Sequence, residues 1–90
     1  MTYKINILKI ANEDLDWFRK NDRKGYCKCF DLVREIMEIP RKGTGKPERL
    51  KYFDEEVYSR RVNRKDRLVY TIYEEQKEID ISSCRGHYGE

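Results

Sequence analysis

No stretch of this chain approaches the ~20 consecutive apolar residues that a membrane-spanning helix needs. The opening Met-Thr-Tyr-Lys-Ile-Asn also lacks the apolar core of a signal peptide. The expected location is therefore the cytoplasm, with no membrane among the partners. Cysteine is scarce and odd in number, with three residues at Cys27, Cys29 and Cys84. An odd count speaks against a closed disulfide framework. Cys27 and Cys29 fall in a segment read as helix, where residues two apart point in different directions. Histidine occurs once, at His87. One Cys-x-Cys and one imidazole make a poor zinc set, so neither a metal nor another cofactor is expected. Unpaired thiols suit a reducing compartment. Both prolines and two of the five glycines fall within residues 40–48, which reads as a loop.

Charge, by contrast, is abundant. Charged residues make up 41% of the 90 positions and hydrophobic ones 38%. Such a balance can mean disorder, but 12% aromatics and clear apolar periodicity point to a folded domain with a charged surface. The length suits one domain, 1–90, with one modest core. The net charge of +3 is too small to name a partner, but its distribution is uneven. Residues 1–40 carry 8 basic and 7 acidic groups, and residues 71–90 carry 2 and 5. Residues 41–70 carry 10 and 5, a local +5. A positive middle third suits a surface that faces phosphates. A solvated loop and hairpin is the plain alternative.

Residues 3–8 alternate as a strand, with Tyr3, Ile5 and Ile7 on one face. Asn12 is the expected N-cap of a short helix, with Glu13 and Asp14 in its first turn. Asn21 or Asp22 restarts a second helix. Its apolar positions Tyr26, Cys29, Phe30, Val33, Ile36 and Met37 recur at three- and four-residue spacing. Gly25 weakens its first turn and Pro40 ends it. Strands follow at 57–62, 67–73 and 79–84. The expected fold is α+β in the order βααβββ: a twisted, antiparallel-dominated sheet with two helices packed on one face. The other face is left open, so Arg61 and Arg67 can stand up from it beside single-stranded RNA.

Four sequence blocks carry more specific information. The run Gly43-Thr44-Gly45-Lys46-Pro47-Glu48-Arg49-Leu50-Lys51 is too short for a nucleotide-binding P-loop, and Pro47 stands where Ser or Thr is required. It is instead similar to the Gly-x-Gly-Lys-Pro-Glu-x-Leu-Lys loop of the YoeB/Txe toxins. Tyr58-Ser59-Arg60-Arg61-Val62 resembles that family's aromatic-Ser-Arg-Arg-Ile strand, Arg67-Leu68-Val69-Tyr70 its Arg-Leu-Val-Tyr strand, and Cys84-Arg85-Gly86-His87-Tyr88 its Cys-Arg-x-His-Tyr end. Each block alone is weak. Four in the same order, over residues 40–88, make the chain resemble the YoeB/Txe branch of the RelE-type toxin superfamily.

The resemblance implies an endoribonuclease toxin that cuts messenger RNA at the ribosomal A site through attack of a 2′-hydroxyl. Such a reaction needs a base for the hydroxyl proton, cations for the charge that builds on phosphate, and an acid for the departing 5′-oxygen. By resemblance Glu48 is the base and His87 the acid, while Tyr88 stacks on a base or orients the phosphate. Arg67 and Arg61 are phosphate clamps, because a guanidinium pairs with two oxygens at once. Lys51 and Lys46 add further cations. Arg60 joins the phosphate-binding set at lower rank, since a regular strand turns it away from Arg61. Read without the resemblance, Glu48 is an ordinary surface ion-pair carboxylate and His87 an inert tail residue. The implied partners are messenger RNA, the ribosome and a YefM/Axe-like antitoxin, with a homodimer left open. Two rival readings use the same scaffold: a non-catalytic RNA- or ribosome-binding module, and an autorepressor that acts with its antitoxin. The sequence departs from the family pattern at Arg49, in the acidic run Asp54-Glu55-Glu56, and by the added Gly89-Glu90.

Overall fold

The computed structural model describes residues 2–86. Alternation around Ile5 and Ile7 yields strand β1 (Lys4–Ile7), followed by helices α1 (Lys9–Asn21) and α2 (Arg23–Glu38). Four strands then follow: β2 (Glu48–Arg49), β3 (Glu56–Arg61), β4 (Arg67–Tyr73) and β5 (Glu78–Ser83). They form one five-stranded sheet in the order β1-β5-β4-β3-β2. Only β1 and β5 run parallel, so the sheet is antiparallel-dominated as expected. The expected order βααβββ gains one element, the two-residue strand β2. Sequence periodicity cannot register a strand so short.

Pairing sets the faces. Ile5 lies beside Ile79, and Ile7 beside Ile81. Tyr70 and Ile72 of β4 continue the same rows. This face meets Ala11, Leu15 and Phe18 of α1 and Cys29, Leu32, Val33 and Ile36 of α2, all buried. Each fully buried large apolar side chain there contributes about 1.5–3 kcal/mol. A one-residue slip of β1, β4 or β5 would turn its isoleucines away from the helices. The second face carries Val57, Ser59, Val69, Thr71 and Ser83, which are small and buried, and it ends in Arg61 and Arg67.

The helix starts differ from expectation at one point. Asn12 does not cap α1. The helix begins a turn earlier, with Leu8 as a cap that offers no side-chain hydrogen bond. Leu8 N donates to Ile81 O at 3.0 Å, and Leu8 O accepts from Asn12 N at 2.9 Å. Docking of β1 on β5 therefore places the first turn, overriding the local cap signal. At the second junction the signal holds. Asp22 caps α2, accepting from Gly25 N at 3.0 Å. Gly25 has a reason to be there that helix propensity hides. A Cβ at this position would stand 2.6 Å from the Phe18 ring.

Candidate active site

The site begins with a buried cation. Arg60 sits on the helix-facing side of β3, opposite Leu68, and is fully buried. A guanidinium there must find acceptors for its donors and a counter-charge. Its Nη1 donates to Glu35 Oε1 and to Thr44 O at 3.1 Å, and Nη2 donates to Ile39 O at 2.7 Å and Lys42 O at 2.8 Å. Its Nε donates to the Tyr70 hydroxyl at 3.0 Å, and that hydroxyl in turn donates to Pro40 O at 2.6 Å. Burial raises the Tyr70 pKa, which keeps the phenol protonated for that role. Glu35 also accepts from Thr44 N at 2.6 Å and from its hydroxyl at 3.1 Å. The Thr44 amide bond is the leading cause that holds the Glu35 carboxyl below its ordinary pKa. Arg60 was expected among the phosphate-binding residues. The structure withdraws it: no part of its side chain reaches solvent, and its donors already fasten the 39–44 loop.

That loop delivers Glu48. Gly43 adopts φ +121°, and a Cβ there would lie 2.8 Å from the Glu35 carboxyl carbon. Lys46 takes φ +52°, and Arg61 N donates to Gly45 O at 2.7 Å. The chain then enters β2 with Glu48 opposite Ser59. Ser59 pairs with Val69, and Val69 with Ser83, so Glu48 heads a row across the second face. One step along the strands, Arg61 and Arg67 stand directly opposite each other. Directly opposed strand residues have Cα atoms about 4.5–5.5 Å apart, and diagonal neighbours such as Glu48 and Arg61 about 7–8 Å.

Like charges placed opposite each other destabilise a sheet unless something neutralises them. Arg67 turns its Nη1 toward the carbonyls of Asn63 and Asp66, both at 3.2 Å, and of Arg64 at 3.5 Å. Arg61 is exposed, and among the described residues it has no hydrogen-bonding side-chain partner or salt bridge. The same holds for Glu48, Lys46 and Lys51, all exposed. Lys46 and Lys51 flank Glu48 on either side of β2. The arrangement offers an accessible carboxylate and two adjacent guanidiniums on one face, which suits a phosphodiester.

The acidic run that breaks the family pattern is neutralised in part. Arg41 pairs bidentately with Glu56, at 2.6 and 3.0 Å, and reaches Glu74 at 2.9 Å. The Arg41 hydrogen bond lowers the Glu56 pKa, while Lys77, then Tyr3 and Arg41, bring Glu74 down to about 2.

His87 and Tyr88 lie outside the described residues. Ser83 ends β5 at the same end of the sheet as Arg61 and Arg67. Cys84 N then donates to Asp14 Oδ2 at 2.8 Å, and the Arg85 guanidinium lies 3.6 Å above the Trp17 ring. The Cys84 thiol is buried against that of Cys29, whose contact pushes its pKa up. Among the described residues, no helix is long and apolar enough to cross a membrane.

A profile of the family described as "YoeB-like toxin of bacterial type II toxin-antitoxin system" matches residues 8–88. The chain belongs to the YoeB toxin family. It is 40% identical over 85 residues to Toxin YoeB of Synechocystis sp., covering 94% of this chain and 96% of that one. Its fold superposes on the YoeB dimer structure from Staphylococcus aureus with a TM-score of 0.84 at 38% identity, over 98% of this chain and 100% of that chain. The S. aureus YoeB–YefM complex gives a TM-score of 0.81 at 37% identity, with the same coverage.

The supporting roles of four residues, Glu35, Tyr70, Asp14 and Trp17, were not expected from the sequence. Only Arg60 left a trace of the first two. An arginine in phase with Tyr58 on the apolar side of a strand needs buried acceptors, and alternation alone places it there.

Proposed function

We propose that this chain is an endoribonuclease toxin that cleaves messenger RNA at the ribosomal A site, with the attacking 2′-hydroxyl of the substrate as nucleophile. Glu48 removes the hydroxyl proton. Arg61 and Arg67 hold the phosphate and offset the charge that builds on it, with Lys46 and Lys51 beside them. His87 protonates the 5′-oxygen as it leaves, and Tyr88 orients the phosphate. The observation that carries this reading is the pair Arg61–Arg67, opposed across β3 and β4 on the face that also bears Glu48. No metal is assigned a step, because side chains cover all three tasks. The protein works in the cytoplasm. There it is silenced by a YefM-type antitoxin whose acidic segment covers the basic surface, and it forms a homodimer. The S. aureus relatives, seen as a YoeB–YefM complex and as a YoeB dimer, support both partners.

Primer extension on a translated transcript after induced expression tests the reading. Cuts that follow the reading frame and vanish with Glu48→Ala are expected. Binding to ribosomes without any cut would make the chain a binding module instead.

A further inference from the structure

Glu48 belongs to a two-residue edge strand, bonded to β3 on one side only. A strand of that length does not fix its own position. Leu50 N donates to Val57 O at 2.8 Å just after it, and the chain that leads into it is fastened upstream. Ile39, Lys42 and Thr44 all present carbonyls to Arg60, Thr44 presents its amide and hydroxyl to Glu35, and Gly45 accepts from Arg61 N. Arg60 and Arg61 are neighbours on one strand and project to opposite faces. One strand thus carries a phosphate-facing cation on its open side and the fastening of the Glu48 loop on its covered side. A lysine could not replace Arg60, because its single ammonium cannot reach acceptors spread over the loop, α2 and β4.

We propose that Arg60 and Glu35 are positioning residues for Glu48: together they clamp the 39–45 loop and so set the distance between the base and Arg61. The inference rests on the general-base reading of Glu48. A base works only within about 2.6–3.2 Å of the proton it takes, and a displacement of about 1 Å can cost roughly 10²-fold in rate. The clamp touches no reacting atom.

The test measures single-turnover cleavage on programmed ribosomes at saturating protein. Affinity is measured separately, for the same complex carrying a 2′-deoxynucleotide at the cut position. Glu35→Ala is expected to lower the rate at least tenfold and to change affinity by less than threefold. Glu35→Gln keeps an oxygen for the Thr44 amide and is expected to stay within threefold of wild type. The double variant Glu35→Ala/Glu48→Ala is expected to be no more than twofold slower than Glu48→Ala, because a displaced base and a missing base fail in the same way. Thermal melts confirm that each variant is folded. If Glu35→Ala does not fold, Gly43→Ala serves in its place. It sits in an exposed loop at φ +121°, and its methyl would run into the Glu35 carboxylate. The same loss and the same non-additivity are expected. A folded variant that cuts within threefold of wild type, or a loss that multiplies with that of Glu48→Ala, overturns the clamp and leaves the role of Glu48 intact. Normal cutting by Glu48→Ala alone overturns the base assignment, and the clamp with it.

Discussion

Two adjacent arginines show how much one position along a strand decides. Arg60 is buried with Glu35 as counter-charge, so Arg60→Ala leaves that carboxylate and several carbonyls without their donor. Losing one partner of a buried pair costs about 3–5 kcal/mol, and the partial exposure of Glu35 places the expected loss near the low end. Arg61→Ala removes an exposed charge facing Arg67, and stability is expected to change by no more than about 0.5 kcal/mol. Urea unfolding of the two variants measures the contrast, and equal losses would contradict it. Arg67→Ala is expected to slow single-turnover cutting at saturation at least tenfold, and to do so more than it weakens binding, since charge builds on phosphate in the transition state. Arg67→Lys restores little, because the fork is lost. Wild-type cutting at saturation by Arg67→Ala would refute its role. That Arg61 and Arg67 share a face was legible from strand alternation, while Glu48 was singled out only by the resemblance of its block. The burial of Arg60 was half legible. Alternation turned it inward, but its acceptors come from Glu35 and Tyr70, 25 residues before it and 10 after it. Nothing local names them.

At the level of elements, tertiary packing decides where sequence rules disagree. The start of α1 follows the docking of β1 on β5 and ignores Asn12. The start of α2 follows its cap, Asp22. Gly25 illustrates a cost that propensity misjudges. Alanine is the better helix former by roughly 1 kcal/mol, yet its methyl would meet the Phe18 ring beside the junction of the two helices. Gly25→Ala is expected to destabilise by about 1–3 kcal/mol, the range for an overpacked core. A raised melting temperature in that variant would show that Phe18 moves aside freely. The β1, α1, α2, β3, β4 and β5 elements were legible from periodicity. Strand β2 was not, because two residues hold no period, and its pairing follows from a loop fastened elsewhere.

Across the whole molecule, acid should weaken the fold before it touches the core. Glu35, Glu56 and Glu74 all titrate below the ordinary glutamate value of about 4.3. A carboxyl lowered in the folded state adds stability that is fully present above that ordinary value. The contribution is lost as pH falls through the folded-state pKa, which for Glu74 is about 2. Stability is therefore expected to decline from about pH 4.5 towards pH 2, and Glu56→Gln should make that decline shallower. Exposed members of the network contribute little each, so the effect is modest. An unchanged slope in the variant would show that the Arg41 network does not couple to folding. The reach of the whole chain also explains the site. The glycine loop, the end of β3, the start of β4 and the end of β5 converge at one end of the sheet, where Cys84 is held by Asp14 and Arg85 by Trp17. The most direct test is the single-turnover rate of Glu48→Ala and of His87→Ala on programmed ribosomes. Each is expected to cut roughly 10²–10⁴-fold more slowly than wild type, the range for a lost acid–base catalyst. Rates within threefold of wild type for both would contradict the account.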